Sequence, residues 1–294
     1  MSAEVTGREV LPIPDQRYQG LIAYSAKDPS SRFPPMEPLR PPQGAPNVMV
    51  ILLDDVGFGA SSAFGGPCNT PVAERLAANG LKYNRFHTTA LCSPTRAALL
   101  TGRNHHTVGM AGITEIATAA PGYTSVIPNS CAALAETLKL NGYSTAQFGK
   151  CHEVPVWETS PMGPFRQWPT GQGFEHFYGF IGGETNQWAP AIYRDTVPIE
   201  PENGDDPDYH FGEDMTDHTI EWIRQQKSLM PDKPFFIYYA PGATHAPHHV
   251  PREWADKYKG QFDEGWDATR ARTFDRQKEL GVIPDDAELT QRHD

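Results

Sequence analysis

Asn47-Val-Met-Val-Ile-Leu-Leu53 is an apolar run that lies between Pro46 and the acidic pair Asp54-Asp55. A short continuous apolar run with polar boundaries is typical of a strand whose two faces are both covered, as in a parallel sheet. We therefore predict a buried strand over 47–53, with two carboxylates placed where that strand leaves the core.

Helix signals follow this strand. Thr70 as an N-cap, Pro71 at the first helical position and Gly80 just past the end predict the first helix. Because strands that alternate with helices form βαβ units, we expect an α/β fold with a largely parallel central sheet flanked by helices. In such a sheet, ligands bind beyond the carboxyl ends of the strands. The further predicted elements are strands over 81–87, 143–148 and 234–239, and helices over 95–100, 131–140 (capped by Ser130) and 214–226.

The first 46 residues differ from the rest of the chain. They contain nine prolines and no periodic apolar pattern, so we predict a Pro-rich N-terminal arm over 1–46 and a folded body over 47–294.

Composition excludes several classes of function. The chain has 25 Lys and Arg against 36 Asp and Glu, a formal charge of −11, which disfavours nucleic acid and anionic lipid as partners. The apolar run Val48–Leu53 is far shorter than the roughly 20 residues that span a bilayer, and the N-terminus does not resemble a secretory signal. The four cysteines form no C-x-x-C pair. We therefore predict a cytoplasmic location with no membrane contact.

Two polar clusters stand out before any family is considered. Asp54 and Asp55 repel each other unless a cation joins them, and their oxygens suit Ca²⁺, Mg²⁺ or Mn²⁺; the alternative is a solvated acidic pair in a turn. Cys92-Ser-Pro-Thr-Arg96 begins a predicted helix, whose N-terminus and arginine favour an anion; the alternative is a buried free cysteine.

Cys92-Ser-Pro-Thr-Arg96, followed by Ala97-Ala-Leu-Leu-Thr-Gly-Arg103, resembles the signature of the type I sulfatases. The resemblance covers roughly residues 47–294 and implies an alkaline-phosphatase-like α/β fold. It extends to the Asp54-Asp55 strand, to Gly149-Lys-Cys-His152, Gly173–Phe180 and Thr244-His-Ala-Pro-His248, and, toward the bacterial arylsulfatases, to Asn104–Thr107 and Phe262–Ala268.

The resemblance implies a formylglycine-dependent arylsulfatase acting on a small-molecule sulfate ester. A formylglycine-generating or equivalent maturation enzyme would convert Cys92 to the aldehyde, whose hydrate attacks sulfur. Arg96 would hold the diol, and Lys150 would bind a sulfate oxygen. His245 would bind the substrate and protonate the departing alcohol, and His152 would take the proton of the second hydroxyl.

The resemblance also implies a divalent cation, calcium first and magnesium or manganese as alternatives, held by Asp54, Asp55 and the modified Cys92. The family's remaining metal ligands are an Asp-Asn pair after a later strand. No such strand follows Tyr239, so we expect this chain to be the N-terminal portion of the catalytic domain, with the C-terminal part missing.

Two alternatives stay open. One is a phosphonate or phosphodiester hydrolase of the same superfamily. The other is a catalytically silent, truncated sulfatase-like protein. Cys151 stands where the family usually has an aromatic residue, and the sequence assigns it no role.

Overall fold

The structure is a computed structural model that describes residues 8, 10–14, 18, 20–32 and 35–292. Its sheet has six strands: β1 (Val48–Ile51), β2 (Ser144–Cys151), β3 (His176–Ile181), β4 (Ile192–Arg194), β5 (Val197–Ile199) and β6 (Phe235–Ala240). The helices are α1 (Pro71–Asn79), α2 (Cys92–Thr101), α3 (Leu134–Leu140), α4 (Phe211–Leu229), α5 (Arg252–Asp256) and α6 (Trp266–Glu279). Short 3₁₀ turns, among them Thr114–Ile116, lie between them.

The strand order is β1-β6-β2-β3-β4-β5. The four strands from β1 to β3 in this order are parallel, and β4 and β5 join as an antiparallel extension. The predicted largely parallel sheet is therefore confirmed. Because β1, β6 and β2 run side by side in one direction, their carboxyl ends meet at one edge of the sheet.

Alternate residues of the central strands pack on opposite faces of the sheet, as a strand's period of two requires. On one face, Phe148 and Ile237 pack with Met215 of α4. On the other face, Phe236 and Tyr238 form a cluster with residues of α2 and α3. The central strands β2 and β6 are thus covered on both faces, which explains their buried runs. The strand predicted over 47–53 is found at 48–51, but it is not buried as predicted: β1 lies at the edge of the sheet, and Met49 and Ile51 are exposed on one face.

One predicted element is wrong, and another begins later than predicted. The segment 81–87 is not a strand, and its apolar side chains Leu81, Tyr83 and Phe86 are largely exposed rather than covered by a neighbouring strand. The helix predicted over 131–140 begins only at Leu134, with Ala133 as its cap. Cys131 instead packs into a small buried cluster under α2.

β3 has no counterpart among the predicted elements, although it lies in the segment 173–180 that resembles the sulfatases. The predicted N-terminal arm falls partly outside the described residues. In its described part there is no helix or strand, and the backbone of Arg40 approaches Gly142 on the body. The division into an arm and a body stays a prediction. No described helix is long and apolar enough to cross a membrane.

Two glycines let β2 and β3 approach each other. Gly149 and Gly179 are cross-strand partners, and a Cβ at residue 179 would lie 1.9 Å from the carbonyl oxygen of Gly149. Gly149 also has φ +97°, which bends β2 immediately before Lys150. The spacing at this pair therefore determines where the end of β2 lies.

We expect Gly179→Ala to lower the free energy of unfolding by about 1–3 kcal/mol, because a methyl group there can be accommodated only by displacing backbone. Denaturant unfolding measures the effect. The matched control is Gly57→Ala, where nothing lies within 4 Å of the added Cβ. Equal stability of both variants would contradict this account of the strand spacing.

Candidate functional site

The carboxyl edge of the sheet gathers most of the residues singled out in the sequence. Asp54 follows β1, Lys150 lies at the end of β2, and His245 lies in the loop after β6. Cys92 is the first residue of α2, and Arg96 lies one turn further along the helix. Residues from four separate elements therefore meet in one region, as the rule for parallel sheets predicts.

Asp54 lies between two buried cations. Its Oδ1 accepts a hydrogen bond from Arg96 Nη2 at 3.0 Å, and its Oδ2 accepts one from Lys150 Nζ at 2.6 Å. The exposed fractions of the three side chains are 5%, 1% and 0% for Asp54, Arg96 and Lys150. Arg96 Nη1 also donates to the hydroxyl of Tyr238 on β6, at 3.2 Å. A buried carboxylate thus fixes both cations at the edge of the sheet.

The backbone of Asp54 also positions the loop that carries His245. The N–H of Asp54 donates to the carbonyl of Ala243, and the N–H of Thr244 donates back to the carbonyl of Asp54. The hydroxyl of Thr244 donates to the same carbonyl, at 3.0 Å. The loops after β1 and β6 are therefore joined directly beside the ion pairs.

Cys92 is half-buried at the N-terminus of α2. The preceding residue, Leu91, has extended backbone and offers no side-chain cap, so the first N–H groups of the helix have no partner from that residue. Residues four apart share a helix face, which places Cys92 on the same side as Arg96. The cysteine therefore lies at a positive helix end and beside a fixed guanidinium, an arrangement that favours an anion.

His152 is buried and pairs with an acidic residue that the sequence analysis missed. Its Nε2 lies 2.9 Å from both carboxylate oxygens of Glu115, in the 3₁₀ turn Thr114–Ile116. Burial lowers the pKa of His152 below its ordinary value; the carboxylate of Glu115 opposes that shift, while Lys150 and Arg96 add to it. His152 is therefore neutral near pH 7.

His245 has a different environment. It is only partly buried, and its Nδ1 donates a hydrogen bond to the carbonyl of Ala246 at 2.7 Å. Two exposed carboxylates lie further from the ring: Asp55 Oδ2 is 3.9 Å from Nε2, and Glu184 Oε2 is 3.7 Å from Nδ1. Glu184 follows β3, and the preceding residue, Gly183, packs against the ring of His152. One short loop therefore contacts both histidines.

A second buried carboxylate, Glu153, lies near enough to Arg96 for their charges to interact. Its oxygens have no hydrogen-bond partner among the described residues, and burial raises its pKa despite the opposing charge of Arg96. Burial also raises the pKa of the neighbouring Cys151 thiol well above its ordinary value. Cys151 packs with Trp168 and Phe177, so its place in the structure is that of an apolar core residue.

The predicted cation site is only partly assembled. Both oxygens of Asp54 are occupied by Arg96 and Lys150, and Asp55, at φ +56°, is exposed. The described residues contain no group of three or more His, Cys, Asp or Glu side chains that could hold a metal ion. Asp54, Asp55 and Cys92 therefore stay predicted ligands.

The missed residues gave little signal in the sequence. Glu115 and Glu184 lie far along the chain from the histidines they face, and only the folding of their loops brings each pair together. Tyr238 belongs to an apolar strand segment, and nothing in that segment predicts that its hydroxyl accepts a hydrogen bond from Arg96. Glu153 directly follows the Gly149–His152 segment and is not among the predicted site residues.

The architecture is that of the alkaline-phosphatase-like α/β fold, and solved structures share it. Ps i-CgsB, in complex with k-i-k-neocarrahexaose, matches with a TM-score of 0.55 and 22% identity, over 81% of this chain and 53% of that protein. A structure solved with D-glucosamine-2-N,6-O-disulfate also has a TM-score of 0.55, at 23% identity over 74% of this chain and 38% of that protein.

The sulfatase family profile matches residues 46–292, and the chain belongs to the sulfatase family. It is 33% identical to a sulfatase of Schizosaccharomyces pombe over 82% of this chain and 45% of that protein. It is 31% identical to the arylsulfatase of Klebsiella aerogenes over 84% of this chain and 53% of that protein. The chain thus spans about half the length of these curated relatives, and its family agrees with the resemblance noted in the sequence.

We expect Asp54→Asn to lower the free energy of unfolding by about 3–5 kcal/mol, because it leaves Arg96 and Lys150 buried without their shared charge partner. Denaturant unfolding at neutral pH measures this. The matched control is Asp55→Asn, which should change stability by no more than about 0.5 kcal/mol, since residue 55 is exposed and asparagine tolerates its positive φ. Similar losses in both variants would refute the special role of Asp54.

Proposed function

We propose that the protein is a sulfuric ester hydrolase of the arylsulfatase type, which cleaves a small-molecule sulfate ester to an alcohol and sulfate. The observation that carries the proposal is the meeting of Arg96, Lys150 and Asp54 at the carboxyl edge of a sulfatase-family sheet, with Cys92 as the first residue of the helix that supplies Arg96. A nucleophile precursor, two fixed cations and a helix N-terminus are what attack on a sulfate ester needs.

The charges favour an anionic substrate. Arg96 and Lys150 supply two positive charges, and Asp54 neutralises one of them while holding both side chains in place. Burial lowers the pKa of Arg96, but the nearby carboxylates of Glu153 and Asp54 oppose this and the net shift is upward, so the guanidinium stays charged. Preorganised positive groups of this kind stabilise the charge that develops on sulfate oxygens during attack.

The roles of the side chains follow from their environments. Cys92, as formylglycine, would supply a hydrated aldehyde as the nucleophile. Arg96, one turn along the same helix face, would orient its hydroxyls, and Lys150 would bind a sulfate oxygen. His245, with two carboxylates beside its ring, is suited to donate a proton to the leaving alcohol. His152, neutral and buried, is suited to accept one.

A divalent cation, calcium first and magnesium or manganese as alternatives, belongs to the proposal through Asp54, Asp55 and the modified Cys92. Two carboxylates are hard oxygen donors of the right kind, but Ca²⁺ takes six to eight oxygen ligands, which these residues do not provide by themselves. The side-chain roles above are accordingly derived without the ion. A maturation enzyme that modifies Cys92 and a cytoplasmic location are likewise proposed.

We expect Cys92 to be converted to formylglycine when the chain is co-expressed with a formylglycine-generating enzyme. Mass spectrometry of the peptide containing Leu91–Arg96 would show the exchange of sulfur for oxygen. Cys68, which is also free and exposed, is the internal control and should keep its thiol. An unmodified Cys92 under these conditions would count against the formylglycine mechanism.

We expect Cys92→Ala to lower the rate of aryl-sulfate hydrolysis by at least about 10³-fold while leaving thermal unfolding unchanged, because a methyl group cannot act as a nucleophile. Cys68→Ala should retain the wild-type rate. The same preparations are assayed with an aryl phosphate diester: a large preference for the diester would replace the proposal with a phosphodiesterase. Failure of matured wild-type protein to hydrolyse either ester would favour the silent protein.

A further inference from the structure

Glu115 contacts His152 but has no role in the proposed reaction. Glu115 belongs to the 3₁₀ turn Thr114–Ile116, some distance along the chain from β2, and its two oxygens are equally close to Nε2 of His152. Thr114 is buried and donates from its hydroxyl to Glu115 Oε2 at 3.3 Å. The carboxylate is therefore held toward the imidazole from a fixed turn.

The contact determines which ring nitrogen carries the proton. A carboxylate can only accept, so Nε2 of the neutral ring carries the hydrogen that it donates to Glu115. Nδ1 is then the basic nitrogen with a lone pair. It is buried and has no hydrogen-bond partner among the described residues. The contact between Glu115 and His152 thus leaves Nδ1 of His152 as an acceptor without a partner among the described residues.

We propose that Glu115 is a positioning residue for His152: its carboxylate holds the Nε2–H tautomer, so that Nδ1 is the atom that accepts a proton during sulfate release. This inference rests on the proposed function. It adds to that function a residue outside the Gly149–His152 segment and assigns the base to a single atom.

The proton transfer balances within the site. A hydroxyl of the modified residue 92 gives its proton to Nδ1, and the electron pair of that O–H bond restores the carbon–oxygen double bond. The bond from the same carbon to the sulfate oxygen breaks, and its electron pair leaves with sulfate. The resulting imidazolium keeps its Nε2–H on Glu115, whose negative charge stabilises it.

A role of Glu115 in stability alone explains its contact with His152 less well than a role in positioning the ring. The side chain of Glu115 is 45% exposed, and an ion pair with such exposure contributes little to stability. Its effect on the ring is larger, because His152 is buried and also faces the positive charges of Lys150 and Arg96, while Gly183 covers the ring. Glu115 is the acidic group that contacts the imidazole directly, and it raises the pKa of His152 against burial and the two cations.

The first test measures the tautomer directly. Side-chain ¹⁵N NMR of the chain, with the His152 signals assigned by their loss in His152→Asn, should show the Nε2–H form in the wild type. Glu115→Gln keeps an acceptor oxygen and should retain this tautomer, but with a lower pKa for His152. Glu115→Ala should give a mixture of the two tautomers. The control Glu279→Gln, an exposed residue at the end of α6, should match the wild type.

The second test uses aryl-sulfate hydrolysis by matured protein. Glu115→Ala should lower kcat by about 10–100-fold with little change in KM, as loss of a residue that orients a functional histidine commonly does, and Glu115→Gln should recover part of the loss.

An unchanged tautomer in Glu115→Ala, or a wild-type kcat in that variant, would overturn the inference. If the wild type hydrolyses no sulfate ester, the proposed function fails. The NMR result then decides by itself whether Glu115 sets the tautomer.

Discussion

The carboxylate of Asp54, shared between Arg96 and Lys150, is the interaction on which the site depends. Burial of three charges is unfavourable unless each is paired, so the position of every member restricts the other two. Arg96 comes from α2, Lys150 from β2 and Asp54 from the end of β1. The same contact therefore joins a helix to two strands and fixes two cations at the carboxyl edge of the sheet.

The edge of the sheet gives its two histidines opposite surroundings. His152 is enclosed, is kept neutral by burial and two cations, and has a single carboxylate on one ring nitrogen. His245 is partly open to solvent, with Asp55 and Glu184 beside its ring. The two histidines therefore differ in burial and in the number of carboxylates near the ring.

Much of the fold and part of the site follow from local patterns. The apolar runs around Val48–Ile51 and Phe235–Ala240 correctly identify strands, although only the second is covered on both faces, because β1 lies at the edge of the sheet. Thr70, Pro71 and Gly80 delimit α1 correctly. The segment 81–87 misled the prediction, because its apolar residues resemble a strand but remain exposed. The helix predicted from residue 131 is present but begins at Leu134, and Cys131 lies in a buried cluster with Ala97 of α2.

The sequence by itself determined the chemical groups and the family: the Cys92–Arg96 motif, the Asp54-Asp55 pair and the alternation of strands and helices. Only the tertiary structure decided which of these charged and polar groups contact each other. It assigned Asp54 to two cations, and brought Glu115, from a separate turn, to His152. The physical reason is that a hydrogen bond or ion pair depends on distance in space and on burial, and neither is encoded by the spacing of residues within one short motif.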